Sequence, residues 1–79
     1  MNNFYAIEIQ TNSDGTSGIL PYGHENKGDA EGNYLSLREY ARQSQVATHT
    51  VIFMSKEGDV IEKKCYHHAP APEPETPAE

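Results

Sequence analysis

The chain alternates between segments with the periodicity of β-strands and one segment with the periodicity of a helix. Residues 4–11 put Tyr5, Ile7 and Ile9 on one side of an extended chain, which is the period-2 pattern of a half-buried strand. Residues 12–18 collect residue types that favour turns. Residues 19–22 predict a short second strand. Its Pro21 predicts that this strand lies at a sheet edge or is irregular, because proline has no amide hydrogen to donate to a ladder.

A helical pattern follows a short loop, which we predict over residues 24–28. Asp29 is the predicted N-cap, because its carboxylate can accept from the free amides of the first turn. Apolar residues then recur every three or four positions, which places them on one stripe of a helix. The stripe consists of Ala30, Tyr34, Leu37 and Ala41. The helix is expected to end near Ser44.

Residues 46–54 give the strongest strand pattern. Both faces of this strand carry apolar side chains, which favours a central strand, or a strand with one face covered by the helix and the other by a partner chain. One face carries Val51 and Phe53, and the other carries Ile52 and Met54. Residues 56–59 predict a hairpin turn, with Gly58 where a positive φ is needed. Residues 60–66 return as the last strand.

The resulting order is β-β-α-β-β, which predicts an α+β domain over residues 1–68. We expect a four-stranded, mainly antiparallel sheet with one helix on one face. The helix can cover only part of this sheet, so the other face is either polar or a place for a second subunit. Residues 69–79 alternate proline with alanine and glutamate, which predicts a disordered, extended tail outside the core.

The size of the chain favours self-association. A single domain of about 60–70 residues buries only about 60% of its unfolded surface and is marginal without a metal, a disulfide or a partner. Cys65 is the only cysteine, so no intramolecular disulfide can form. We therefore expect a homo-oligomer, with a small monomer as the alternative.

The charge distribution argues against direct nucleic-acid binding. The net charge is −6, and with the tail set aside nine acidic residues still face six basic ones, whereas binding to phosphates needs a basic surface. No segment has the length of a membrane span, and no signal-peptide pattern opens the chain, so we expect no membrane partner. A lone thiol favours a reducing, intracellular location.

The four histidines do not have the spacing of a metal or catalytic motif. A metal site would need Cys65, His67 and His49 to converge, and we predict neither metal nor cofactor. His49 lies among apolar neighbours, which favours a hydrogen-bonded core residue over a catalytic one. Its neighbours Thr48 and Thr50 supply hydroxyls for a ligand or for cross-strand contacts.

A second candidate surface lies on the helix beside the apolar stripe. At about 100° per residue, Leu35, Arg38 and Arg42 cluster there together with Glu31. Arginine is enriched at interfaces and binds phosphate or carboxylate in bidentate fashion. This face is predicted to be a subunit interface or an anion site, and an ordinary solvated face is the alternative.

A set of short motifs runs through residues 4–66. They are Tyr5-Ala6-Ile7-Glu8-Ile9-Gln10-Thr11, Asp14-Gly15-Thr16, Glu31, Tyr34, Ser44-Gln45-Val46, His49-Thr50 and Gly58. On these motifs, which span most of residues 4–66, the chain resembles a group of small proteins encoded in phages and prophages of Gram-positive gut bacteria. Members more often have acidic and alanine residues where this helix begins, so Gly28 and Gly32 are departures. The group has no assigned activity, so the resemblance implies a phage context and the host cytoplasm, and no catalytic residues.

These patterns predict a non-enzymatic, homo-oligomeric binding protein. Its partner would be a small anionic ligand or a host protein, and the phage resemblance implies a role as a counter-defence protein or a sponge that sequesters a nucleotide signal. The candidate ligand or interface residues are Arg38, Arg42, Leu35, His49, Thr48 and Thr50. One alternative is a virion or tail accessory protein. Another is a small phosphodiesterase-like enzyme that uses His49 with Glu8 or Tyr66.

Overall fold

The computed structural model describes residues 2–68, and it confirms the predicted α+β fold. The elements are strand β1 (Phe4–Thr11), strand β2 (Ser17–His24), helix α1 (Lys27–Gln43), strand β3 (Thr48–Ser55) and strand β4 (Val60–His67). The predicted tail of residues 69–79 lies outside the described residues.

The four strands form one antiparallel sheet in the order β2-β1-β3-β4. Strand β1 pairs along its whole length with both β2 and β3, so it joins the two hairpins in the middle of the sheet. Strand β2 is an edge strand, as Pro21 predicted, and β3 is a central strand. Gly58 has a φ of 96° in the turn before β4, which confirms the positive φ expected there.

The start of the helix differs from the prediction. The loop predicted over residues 24–28 is shorter than expected and consists of residues 25 and 26, because β2 continues to His24 and α1 already begins at Lys27. The N-cap is Asn26 rather than Asp29. The Asn26 side chain accepts a 2.8 Å hydrogen bond from the Asp29 amide, and asparagine caps a helix as well as aspartate does. Asp29 instead supplies an acidic group in the first turn.

The core lies between α1 and the face of the sheet that the helix covers. The buried apolar residues are Ala6, Val51 and Phe53 from the sheet and Ala30, Tyr34 and Ala41 from the helix. The Tyr34 and Phe53 rings pack with their centres 5.9 Å apart. The predicted helical stripe is therefore confirmed, with Leu37 packed at its margin. Three of the six core residues are alanines, so the core is small for a domain of this length.

Candidate functional site

The six candidate site residues occupy three different places in the fold. Thr48 and Thr50 lie on the sheet face that the helix does not cover, here called the open face. Leu35, Arg38 and Arg42 lie on the helix. His49 is completely buried beneath the helix, between the two sets. The structure therefore does not bring these residues together as one site.

His49 is the centre of a buried hydrogen-bond chain. Its Nε2 lies 2.5 Å from Glu8 Oε2, and its Nδ1 lies 2.8 Å from Ser44 Oγ. Glu8 is 3% exposed, and its carboxylate also accepts a 3.0 Å bond from Gln10 Nε2. The ring of Tyr40 packs edge-on against the imidazole at 5.7 Å. Both ring nitrogens of His49 therefore have a partner inside the protein.

These buried hydrogen bonds connect three elements of the fold. Glu8 comes from β1, His49 from β3, and Ser44 is the C-cap of α1. Sequence reasoning predicted a hydrogen-bonded core role for His49, and it named Glu8 as the partner in the enzymatic alternative. It missed Ser44 as a partner. The available signal was a hydroxyl residue placed where the helical pattern ends.

A carboxylate, an imidazole and a hydroxyl in succession are the groups of nucleophilic catalysis. Here the imidazole is 0% exposed, so a substrate has no surface of the ring to contact. Burial instead demands hydrogen bonds for these polar groups, and the chain supplies them. The arrangement favours a structural role, in which it fixes the end of α1 to the two central strands.

The open face is apolar over most of its extent. Its apolar residues are Tyr5, Ile7, Ile9, Ile19, Pro21, Ile52, Met54 and Val60. Ile19 and Val60, on the two edge strands, are 62% and 53% exposed. No other element among residues 2–68 covers this face. Such a patch on a small protein usually marks an interaction surface.

The open face also carries no acidic residue in the described strands. Both strand glutamates, Glu8 and Glu62, lie on the helix side. Lys63 is the one lysine or arginine that the strands place on the open face. Towards the far end of the strands the face becomes polar, with Thr48 and Thr50 among its hydroxyl groups. The strand carboxylates are thus kept away from this apolar face.

The three groups named as a conditional metal site do not converge. Cys65 Sγ lies 3.6 Å from His67 Nε2 on the open face, whereas His49 is on the other side of the sheet. Within residues 2–68 no three histidine, cysteine or acidic side chains stand close enough together to hold a metal ion. The sulfur instead accepts a 3.3 Å hydrogen bond from the Thr50 hydroxyl.

A cluster of charged and aromatic side chains lies between α1 and β4. The helix packs mainly over β1 and β3, so the helix side of β4 stays largely exposed. We define the α1–β4 cluster as Tyr34, Arg38, Arg42, Glu62, Lys64 and Tyr66. Arg38 Nη1 lies 3.1 Å from Glu62 Oε2, and its guanidinium carbon lies 5.6 Å from the centre of the Tyr34 ring. Lys64 Nζ lies at the same distance from the Tyr66 ring.

Each arginine of this cluster already has a carboxylate partner. Arg38 pairs with Glu62 across 24 residues of chain, and Arg42 pairs with Glu39 within the helix. The bonds to Glu39 raise the pKa of Arg42, and they lower the pKa of Glu39. Both pairs are solvent-exposed. Exposed ion pairs contribute little to stability, so a competing anion can displace these carboxylates at small cost.

The Tyr34 hydroxyl is the one buried side-chain polar atom in residues 2–68 that lacks a hydrogen-bond partner. Burial is the main cause that raises the pKa of Tyr34, and the nearby Glu62 carboxylate adds to it. Arg38 lies beside the ring and opposes this shift. Burial and the Glu62 carboxylate thus disfavour loss of the hydroxyl proton, and the group is a buried donor. Sequence reasoning assigned Tyr34 to the core and did not detect this property.

Leu35 is 42% exposed on the helix. No helix within residues 2–68 is long and apolar enough to cross a bilayer. No protein-family model, curated protein or solved structure matches the chain.

Proposed function

We propose that this protein is a non-enzymatic binding module that acts as a homo-oligomer, with its subunits joined through the open face. The observation that carries the proposal is a broad apolar sheet face without acidic residues, on a chain of net charge −6. Covering apolar surface stabilises an assembly by about 25 cal/mol per Å2. A surface of this kind therefore favours a bound state over exposure to water.

A second copy of the chain fits this face well. In a two-fold dimer the same patch meets itself, so apolar side chains meet apolar side chains. Two acidic molecules can approach in this way because their carboxylates lie outside the contact. Sheets packed face to face lie about 10 Å apart, which leaves room for one layer of side chains from each subunit.

The dimensions of the face are also adequate. Four strands of eight residues present a flat projection of about 500 Å2, at about 4.8 Å between strands and about 3.3 Å per residue. Side chains roughen the face, so its accessible area exceeds this projection. It approaches the value of about 800 Å2 that each partner buries in a standard interface.

The small core supports the same conclusion. Half of its six members are alanines, which contribute little apolar area each. Most of the large aliphatic side chains of the strands, including Ile7 and Ile52, point to the open face instead. Association would give them the burial that the single subunit lacks, which is how small domains commonly gain stability.

The biological role that we propose follows from the phage resemblance. The module would act in the host cytoplasm as a counter-defence protein that holds a host protein or a small anionic ligand. Self-association through the open face leaves the helix side of every subunit exposed. That side carries Arg38 and Arg42, and it is where a partner would bind.

The mass of the protein in solution tests the assembly. The wild-type protein is expected to give a defined oligomer by native mass spectrometry and by light scattering after gel filtration. Ile7→Lys introduces a charge at the centre of the open face, and we expect it to give a monomer. Leu35→Lys makes the same kind of change on the helix, and we expect it to leave the oligomer intact.

This pair of variants also distinguishes the two predicted interfaces. If Leu35→Lys dissociates the oligomer and Ile7→Lys does not, the subunits meet at the helix and the proposal is wrong. If the wild-type protein is a monomer at micromolar concentration, neither the open face nor the helix joins subunits and the proposed oligomer is wrong. Circular dichroism of Ile7→Lys checks that the monomer stays folded.

A further inference from the structure

We propose that the α1–β4 cluster binds a small phosphorylated ligand of the nucleotide class. The proposal names a partner for the binding module proposed above, and it does not depend on the oligomer. It extends the sequence prediction for Arg38 and Arg42, because the structure adds β4 residues that the sequence did not connect with the helix.

Basic side chains are concentrated at this cluster, two of them paired with carboxylates in the ligand-free protein. Arg38, Arg42 and Lys64 are three of the six basic residues of the chain, and they lie on adjacent elements. A guanidinium group matches the geometry of a phosphate and can bind two of its oxygens. The carboxylates that now occupy the two arginines are exposed, so their displacement is not opposed by burial.

The Tyr34 hydroxyl supplies an independent observation that points to a ligand. It is a buried donor without a partner, and the guanidinium of Arg38 lies over the ring of the same tyrosine. A buried donor of this kind costs free energy until an acceptor reaches it. The hydroxyl is buried in the ligand-free protein, so a phosphate that takes the place of Glu62 on Arg38 reaches it only when the Arg38 side chain shifts away from the Tyr34 ring. One of the phosphate oxygen atoms can then accept the hydrogen bond that the protein itself does not provide.

Aromatic side chains next to the cations favour a nucleotide over free phosphate. Tyr66 and His68 stack at 6.2 Å with 17° between their planes, and Lys64 lies on the same side of the chain. His68 is held in place by a 2.7 Å contact between its Nε2 and the Ala41 carbonyl oxygen. Aromatic rings beside basic groups can stack with any of the nucleic-acid bases, because every base has a flat π-face. The base would therefore lie along β4, and the phosphate at Arg38.

Calorimetric titration with AMP, GMP, CMP and UMP tests the site, with inorganic phosphate and adenosine as separate arms. At least one nucleotide is expected to bind, phosphate more weakly and adenosine not measurably. Arg38→Ala is expected to weaken nucleotide binding about tenfold or more, the usual effect of losing a charged hydrogen bond. Lys56→Ala removes the same charge outside the cluster, and we expect it to have no effect.

Two further variants separate ligand binding from a purely structural role. Glu62→Gln removes the competing carboxylate and is expected to tighten binding several-fold. Tyr34→Phe is expected to weaken binding several-fold, while the melting temperature without ligand stays equal or rises. A structural ion pair alone predicts no gain from Glu62→Gln and no loss from Tyr34→Phe.

Several results overturn the proposal. They are no binding of any nucleotide, undiminished binding in Arg38→Ala, and adenosine binding as tightly as AMP. Phosphate binding as tightly as every nucleotide overturns the assignment to the nucleotide class. Ile7→Lys is expected to bind nucleotide like the wild type. The oligomer is therefore tested by the mass in solution, and the nucleotide site is tested separately by calorimetric titration.

Discussion

Glu8 and His49 are the two polar side chains enclosed in the described core. Each would be costly there alone, because a buried polar group without a partner loses its bonds to water. Their mutual hydrogen bond, with Gln10 on the carboxylate and Ser44 on the imidazole, removes most of that cost. This pair explains how a histidine can be fully buried in the strand with the strongest pattern.

The pair predicts strongly non-additive effects of substitution. Glu8→Leu and His49→Leu are each expected to lower the free energy of unfolding by about 3 kcal/mol, because each leaves a buried polar partner unsatisfied. The double variant is expected to lose less than the sum, since neither buried side chain is left without the other and only the part-buried Gln10 and Ser44 lose a partner. Urea unfolding in a stabilising osmolyte, which keeps the single variants folded, measures all three.

An additive result would show that the two side chains contribute independently, contrary to the contact in the structure. Ser44→Ala removes only the last hydrogen bond of this buried network and should therefore destabilise the protein less. It is expected to cost about 1 kcal/mol, the usual contribution of one hydrogen bond.

At the scale of elements, glycines at two positions are expected to respond in opposite ways to the same substitution. Gly32 lies inside α1 and Gly58 in the β3–β4 turn, and a Cβ atom would have open space at both. Gly32→Ala is expected to raise the free energy of unfolding by up to about 1 kcal/mol, through helix propensity. Gly58→Ala is expected to lower it by about 1 kcal/mol, because its φ of 96° is unfavourable for alanine.

Chemical denaturation of the two variants beside the wild type checks this prediction. An added methyl group meets open space at both sites. If the two variants change the free energy of unfolding in opposite directions, the difference therefore comes from backbone conformation. Two changes of the same sign would contradict the assigned conformations.

The first two strands show when a local sequence pattern predicts the bounds of an element correctly. Strand β1 was predicted over residues 4–11, as observed, because alternation and the following turn signals agree there. Strand β2 is longer than the predicted 19–22. Its glycines and proline weaken the local strand pattern, and pairing with β1 along eight positions holds it extended nevertheless.

At the scale of the whole molecule, Cys65 reports whether the open face is covered. The thiol is exposed in the single subunit and lies on this face. If a second copy covers it, its reaction with a thiol reagent is expected to be slow in the wild-type oligomer. In Ile7→Lys the reaction should be faster, because the monomer leaves the thiol open to solvent.

Time courses of thiol modification, normalised to the urea-denatured protein, make the comparison. Leu35→Lys serves as the control and should react as slowly as the wild type. Equal rates in all three proteins, with an oligomer present in the wild type, would mean that the subunits meet elsewhere.

The sequence by itself determined the element order and the faces of the strands and of the helix. Helical spacing assigned Tyr34 to the core stripe, and alternation with period two showed that Val51 and Phe53 share one face of their strand. It did not show which face the helix covers, and in β1 the helix covers Ala6 rather than the alternating Ile7 and Ile9. Local turn chemistry located Gly58. The helical spacing also placed Arg38 and Arg42 on the same side of the helix as Leu35.

Only the tertiary structure decided which distant residues meet. Glu8 and His49 are 41 residues apart, and Arg38 and Glu62 are 24 apart. Their contacts depend on strand order, register and the position of the helix over the central strands, which are set by long-range packing and leave no periodic trace. For the same reason the sequence grouped six candidate residues together, and the fold distributed them between the open face, the core and the helix.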